Sequence, residues 1–370
     1  MERDMRSFAI NGFDKKLVLE NGNEYFGFGF GYEGEVVSEI VFNTAMVGYH
    51  NVLADPAYAN QSVVMGYPLI GNYGVAKDNY ESITPALSGL IVREYNDLPN
   101  NFNSEKTLDR VMKENKVVGI CGVDTRELTR FIRDNGSCKC IITDVSTTKE
   151  DAVEKINATE LPENRVECVG CKYDWYYRTL ENKYNIVVVD CGIKSGIVSV
   201  LNEKGCNVTV VPWNTTAEKI EFINPDGVLI SSGPGNPKSV KETVELIKAL
   251  KGKFPIAGIG LGFQLIALAY GADTYSLKVG HRGLNYPVRN LENGSIRITA
   301  QNHGYAVDAE SLKGTGLTVS HENIVDKTVA GAMDKENKVF GIQFYPDRMP
   351  GIEEPDYFFD KFVEMLAEVK

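Results

Sequence analysis

The sequence predicts a two-domain α/β protein, with a β-rich first half and a second half built on a mostly parallel central sheet. The length of 370 residues is about twice that of a typical domain. Hairpin signals dominate the first part, whereas apolar strand-like runs alternate with helix-like segments after about residue 184, as in parallel sheets. We therefore place one domain at residues 1–150, a polar connecting segment at 151–183 and a second domain at 184–370.

The first domain opens with a predicted hairpin. Leu17–Glu20 precedes the turn pair Asn21-Gly22 and the aromatic stretch Tyr25–Phe30, which is the pattern of two antiparallel strands. A further strand is predicted at Glu39–Phe42. This domain should therefore be rich in β-structure.

A helix is predicted at Thr125–Asp134, where the sequence reads TRELTRFIRD. Asp124 is suited to be its N-cap, because a carboxylate there accepts from free backbone N–H groups. Gly136 provides the C-terminal stop, since glycine adopts left-handed backbone without penalty.

In the second domain the alternation gives a series of elements. Strands are predicted at Ile186–Val189, Val208–Val211, Gly227–Ile230, Pro255–Ile259, Ser295–Thr299, Leu317–Ser320 and Val339–Phe344. Helices are predicted at Ser195–Lys204, after Thr215-Thr216, at Ser239–Lys251 before Gly252, and along the apolar stripe that starts at Tyr357.

The most informative segment is Phe254–Gln264, FPIAGIGLGFQ. A strand, a sharp glycine turn and a helix form the elbow that presents a catalytic nucleophile beside an oxyanion-binding N–H. Gly260 occupies the apex and has no side chain with which to attack. The glycine spacing does not fit the dinucleotide fingerprint, whose third glycine lies three residues after the second.

Composition excludes several classes of function. The chain has 50 acidic and 39 basic residues, a net charge of −11, which disfavours general nucleic-acid binding. It lacks an apolar run of the roughly 20 residues that span a bilayer, and its start, MERDMRSFAI, has no export signal. We expect a soluble, cytoplasmic protein with no nucleic-acid or membrane partner.

The seven cysteines are scattered, so we expect reduced thiols. Cys168 and Cys171 have the spacing of half a zinc knuckle, but no second pair follows with the required spacing. The four histidines show no ligand spacing either. The sequence therefore predicts no metal site and no cofactor in this chain.

Long motifs in both halves resemble the small subunit of carbamoyl phosphate synthetase, whose second half is a class I glutamine amidotransferase domain. In the first half the resemblance depends on IVFNTAMVGYHNVLADPAYANQ, YPLIGNYG and VDTRELTR. In the second half it depends on SSGPGNP, GIGLGFQ, AQNHGYAVD and GIQFYPD. The resemblance covers nearly the whole chain and implies the fold of that family.

In this family an elbow cysteine attacks the glutamine amide, a histidine is its base, and a glutamate orients the histidine. By resemblance, these positions fall on Gly260, Tyr345 and Asp347. Glycine offers no nucleophile, and a phenol, whose pKa is ordinarily about 10, is a poor base at neutral pH. The catalytic triad is thus degenerate, and we expect glutamine hydrolysis to be lost.

The resemblance also implies which residues line the glutamine pocket. The family usually has serine at Ala45 and histidine at Phe263, and Arg282 and Tyr286 replace two histidines of its motif. The positions that match the pocket are Ala45, Gly233, Gly235, Leu261, Gln264, Asn302, Gly304 and Tyr305. We expect the rings of Phe263 and Tyr345 to occupy the volume left at Gly260.

Three functions remain open. The first, which we favour, is a structural and regulatory subunit that docks on the large synthetase subunit, which would use ATP, Mg²⁺, bicarbonate and free ammonia. The second is an active glutaminase with a relocated nucleophile, of which Cys191 is the least implausible, or with activity that depends on the partner. The third is a sensor that binds glutamine or another metabolite without chemistry.

Overall fold

The computed structural model describes residues 12–76, 85–346 and 357–368. The chain forms two compact units, Met1–Pro162 and Glu163–Lys370. Within the described residues, no helix is long and apolar enough to cross a membrane.

Unit 1 is built around a closed barrel. Its strands are β1 (Lys15–Leu19), β2 (Glu24–Gly31), β3 (Val36–Asn43), β4 (Gln61–Met65), β5 (Leu69–Ile70), β6 (Gly89–Ile91), β7 (Glu94–Tyr95), β8 (Val118–Cys121) and β9 (Cys138–Asp144). The barrel order is β1-β2-β8-β6-β4-β3-β9, and β5 pairs separately with β7. Its helices are α1 (Tyr49–Ala54), α2 (Leu108–Glu114), α3 (Thr125–Asn135) and α4 (Lys149–Ala158).

Local signals predicted the hairpin and α3 correctly. Leu17 pairs with Tyr25 across β1 and β2. The Asp124 carboxylate accepts from the N–H groups of Arg126 and Glu127, and Gly136 ends the helix with φ 94°. These features form from neighbouring residues, so the sequence alone was sufficient.

Unit 2 contains a ten-stranded sheet. Its strands are β10 (Trp175–Tyr177), β11 (Tyr184–Asp190), β12 (Cys206–Pro212), β13 (Gly227–Ile230), β14 (Ile256–Ile259), β15 (Thr274–Asn290), β16 (Ile296–Val307), β17 (Thr318–Asn323), β18 (Val329–Asp334) and β19 (Val339–Ile342). Its helices are α5 (Ser195–Glu203), α6 (Ala217–Ile223), α7 (Lys241–Leu250), α8 (Leu261–Ala269) and α9 (Tyr357–Ala367).

The sheet order is β10-β12-β11-β13-β14-β19-β18-β17-β15-β16. The central strands β12, β11, β13, β14 and β19 are parallel, as predicted. The flanking strands are antiparallel, which the sequence did not indicate. β14 lies in the middle of the parallel part, with apolar clusters on both sides of the sheet.

The predicted connecting segment 151–183 is not a separate linker. Its first residues belong to α4, which buries Ala152 and Ile156 in unit 1. Its later residues include β10, which pairs with β12 in unit 2. The polar composition hid both elements because α4 has few buried side chains and β10 has only three residues.

Candidate functional site

The elbow forms at the carboxyl end of β14, where open α/β sheets place their sites. Gly260 has φ 57° and ψ −111° and directly precedes α8. Its N–H donates to the Ile342 carbonyl at 2.8 Å, which ties the apex to the end of β19. A residue with a Cβ is strained in this conformation, so the backbone retains the nucleophile geometry although no nucleophile is present.

The space above the apex remains open to a Cβ. A Cβ built on Gly260 would lie 3.4 Å from the Ser232 Cβ and 3.9 Å from the Gln343 carbonyl oxygen. These are ordinary contacts, and neither involves an aromatic ring. The expectation that Phe263 and Tyr345 fill this position is therefore wrong.

Phe263 packs elsewhere. Its side chain is fully buried in the cluster on the α8 side of the sheet. It lies over Gly341 of β19, where an added Cβ would come within 2.6 Å of its Cδ2. The ring thus belongs to the helix–sheet core.

Tyr345, at the position of the family base, is buried. Its N–H donates to the Ala300 carbonyl at 2.9 Å, next to β16. The ammonium of the fully buried Lys194 lies 3.7 Å from the centroid of the Tyr345 ring, a cation–π contact. Asp347, the third triad position, lies outside the described residues.

Several predicted pocket residues meet around α8. Gln264 is buried, and its Nε2 donates to the Tyr305 carbonyl at 2.7 Å and to Gln343 Oε1 at 2.9 Å. A Cβ on Gly233 would lie 2.9 Å from Leu261 Cδ2, so these two positions are also adjacent. The described contacts therefore bring Gly233, Leu261, Gln264 and Tyr305 to the elbow.

The other predicted pocket residues are placed less closely by the contacts. Asn302 and Gly304 lie on β16 beside Tyr305, and Asn302 pairs with Arg282 of β15. Gly235 has φ 89° and lies against Arg165. Ala45 belongs to unit 1, where it is buried and its N–H donates to Asn43 Oδ1 at 2.6 Å.

A histidine cluster follows the β15–β16 pair. His281 and His303 have ring centroids 4.9 Å apart, and each has a ring nitrogen 3.0 Å from Gln301 Oε1. His281 Nε2 is also 2.7 Å from Asp326 Oδ2. Burial and the nearby positive groups His281 and Arg282 hold the pKa of His303 well below its ordinary value, so His303 is neutral and structural.

Cys191 does not fit the role of a stand-in nucleophile. Its side chain is fully buried, and its backbone N–H donates to Ser231 Oγ at 2.9 Å. Burial, with the Asp190 carboxylate adding to it, raises the pKa of the Cys191 thiol far above its usual range. The thiolate that attacks is therefore not formed at neutral pH.

Three residues at this site were missed by sequence reasoning: Lys194, Ser232 and Gln343. All three follow the carboxyl ends of parallel strands, namely β11, β13 and β19. The rule that sites collect at this edge was the signal that could have identified them. In the described part of the chain, no three His, Cys, Asp or Glu side chains are arranged to hold a metal ion.

Comparisons with known proteins match both units. The family described as carbamoyl-phosphate synthase small chain, CPSase domain, matches residues 17–142, and glutamine amidotransferase class-I matches residues 187–365. The carbamoyl phosphate synthase small chain of Listeria innocua is 45% identical over 350 residues, covering 95% of this chain and 96% of that one.

Two further proteins illustrate the range of similarity. The small chain of Staphylococcus saprophyticus is 46% identical over 354 residues, covering 96% of each chain. A solved glutamine amidotransferase from Thermotoga maritima covers 50% of this chain and 83% of its own, with 17% identity and a TM-score of 0.35.

Proposed function

Because the chain belongs to the carbamoyl phosphate synthase small chain family, we propose that it is a non-hydrolysing subunit of that synthetase. In this role it docks on the large subunit and contributes structure and regulation. The large subunit uses ATP, Mg²⁺ and bicarbonate, and takes its nitrogen from free ammonia. We further propose that the assembly is cytoplasmic.

The observation that carries this proposal is the glycine at the elbow apex. Gly260 keeps the backbone of a nucleophile elbow but presents no atom that can attack an amide. Loss of a triad nucleophile typically lowers turnover on the order of 10⁶-fold, roughly 8 kcal/mol of transition-state stabilisation. Oxyanion donors and substrate binding retain roughly 10³-fold over water, too little to supply a biosynthetic enzyme.

The surroundings of the apex support the same conclusion. At the base position, the Tyr345 ring lies against the Lys194 ammonium, so no imidazole is available to accept a proton. The relocated nucleophile that seemed least implausible, Cys191, is buried and its thiol has a raised pKa. The second candidate function is ligand sensing, which the preserved Gln264–Tyr305–Gln343 hydrogen bonds favour.

Glutamate release from glutamine tests the proposal. The purified chain is assayed alone and with its large subunit, and the small chain of the Listeria innocua relative serves as the positive control. We expect no release above background in either sample. We also expect the complex to make carbamoyl phosphate from ammonium chloride but not from glutamine.

Glutaminase activity in the complex would contradict the proposal. The variant Cys191→Ala then shows whether that thiol is responsible, because its removal would abolish the release. Activity that survives this variant would locate the nucleophile at another residue.

A further inference from the structure

The start of α8 is an anion-binding geometry without an acceptor from its own chain. α8 has nine residues, and no side chain accepts from the N–H groups of its first turn. These groups lack intrahelical acceptors and carry the positive end of the helix dipole. In an intact elbow this end faces the nucleophile and the developing oxyanion; here Gly260 leaves it open.

A second, independent donor lies against the same turn. Gln343 is 3% exposed, and its side-chain Nε2 has no hydrogen-bond partner. The amide orientation is fixed because Oε1 accepts from Gln264 Nε2, which also donates to the Tyr305 carbonyl. Since buried amide N–H groups are normally bonded, an acceptor from a ligand is favoured at this point.

Two buried cations add to the positive field. The Lys194 ammonium lies over Tyr345, which bonds to Ala300 near the elbow end of β16. Arg282 is 4% exposed, and its Nη2 lies 3.2 Å from the Cβ position of Gly304. Both cations have other partners, so they contribute to the field and are not counted as open donors.

We propose that this site binds a small carboxylate in preference to the corresponding carboxamide. A carboxylate has only acceptors and can receive the α8 N–H groups and Gln343 Nε2 on separate oxygens. A carboxamide would turn an NH₂ group towards one of these donors. The inference rests on the proposed function, since a thiolate at residue 260 would repel the anion.

L-glutamate and L-glutamine are the probes, because they differ only in this group. Calorimetry on the full chain measures both, with inorganic phosphate as a third ligand. We expect L-glutamate to bind at least about tenfold more tightly than L-glutamine, as a charge-assisted hydrogen bond is stronger than a neutral one. Similar affinity for L-glutamine, or phosphate binding as tight as that of L-glutamate, would overturn the assignment.

Variants localise the binding. Gln343→Leu should weaken L-glutamate binding about tenfold, whereas Asn323→Leu, at another buried amide with an unpartnered nitrogen, should leave it unchanged. If Gln343→Leu does not fold, Arg282→His replaces it and should weaken L-glutamate but not L-glutamine. Unchanged L-glutamate binding in a folded site variant would sink the inference.

The two proposals fail separately. Release of ammonia from L-glutamine would contradict the non-hydrolysing function, whatever the binding results. Absence of hydrolysis together with no preference for L-glutamate would leave that function intact and overturn only the carboxylate site.

Discussion

Replacement of Gly260 by alanine tests whether the elbow imposes backbone strain that glycine relieves. The φ of 57° lies in the region that favours glycine, and an added Cβ has only ordinary contacts there. The cost of Gly260→Ala should therefore come from the backbone alone. Crowding should contribute little.

The expected magnitude follows from two opposing terms. A non-glycine residue in such a conformation costs about 1–3 kcal/mol, while alanine lowers the entropy of the unfolded chain and returns about 0.4–1 kcal/mol. The net loss in the free energy of unfolding should be about 1–2 kcal/mol. For a unit of this size, that corresponds to a decrease in Tm of about 2–8 °C.

Two other glycines separate strain from crowding. Gly271 has φ 88° and open space around a Cβ, so Gly271→Ala should cost a similar amount. At Gly262 a Cβ would lie 2.2 Å from the Ile230 carbonyl oxygen, so Gly262→Ala should cost clearly more. The comparison isolates the contribution of the apex.

Tryptophan fluorescence during urea unfolding is the assay. The two tryptophans of the chain, Trp175 and Trp213, both lie in unit 2, so the signal reports on the unit that contains the elbow. Gly260→Ala as stable as the natural chain would refute the strain argument. A loss as large as that of Gly262→Ala would show that the space at the apex is not open.

Three further outcomes are expected. Combined substitution Gly260→Cys, Tyr345→His and Asp347→Glu should restore measurable glutamate release in the complex, whereas Gly260→Cys alone should gain far less because no base activates the thiol; equal activity of the two would contradict the triad assignment. Cys191→Ala should leave labelling by a thiol-reactive glutamine analogue unchanged, and an adduct at Cys191 in the natural chain would refute its inert role. Burial lowers the pKa of His321 to about 4, below the ordinary value of about 6.5, so acidification across this window should cost up to about 3 kcal/mol of stability; urea unfolding at several pH values should show a shallower decline in His321→Gln, and an identical decline would contradict it.

The success of sequence reasoning depended on how local each signal was. The caps of α3 lie beside the helix in sequence, and the elbow motif is one short segment, so both could be predicted. β15 was missed because register shifts interrupt its pairing with β16 between Ser276 and His281 and between Gly283 and Tyr286. Such irregularities are set by the partner strand and leave no regular alternation in the sequence.

The elbow chemistry shows the same division between local and tertiary information. Gly260 announced the missing nucleophile because a motif fixes its position. The unpartnered nitrogen of Gln343 could not be inferred, since it depends on Gln264 and on the Tyr305 carbonyl, about 40 residues or more away in sequence. A polar side chain in a strand-like run carries no mark of its burial or of its partners.

The elbow conformation does not depend on the residue at its apex. The Gly260 N–H is held by Ile342, and Gly262 fits so closely against Ile230 that a side chain there would overlap the neighbouring strand. Both contacts come from the packing of α8 on the parallel sheet, which the loss of a thiol leaves unchanged. Loss of chemistry therefore need not entail loss of architecture, and restoration of glutaminase activity by the triple substitution distinguishes the two. If the triple variant folds with the same stability but remains inactive, the defect extends to the pocket itself, and the donors around Gln343 become the next groups to change.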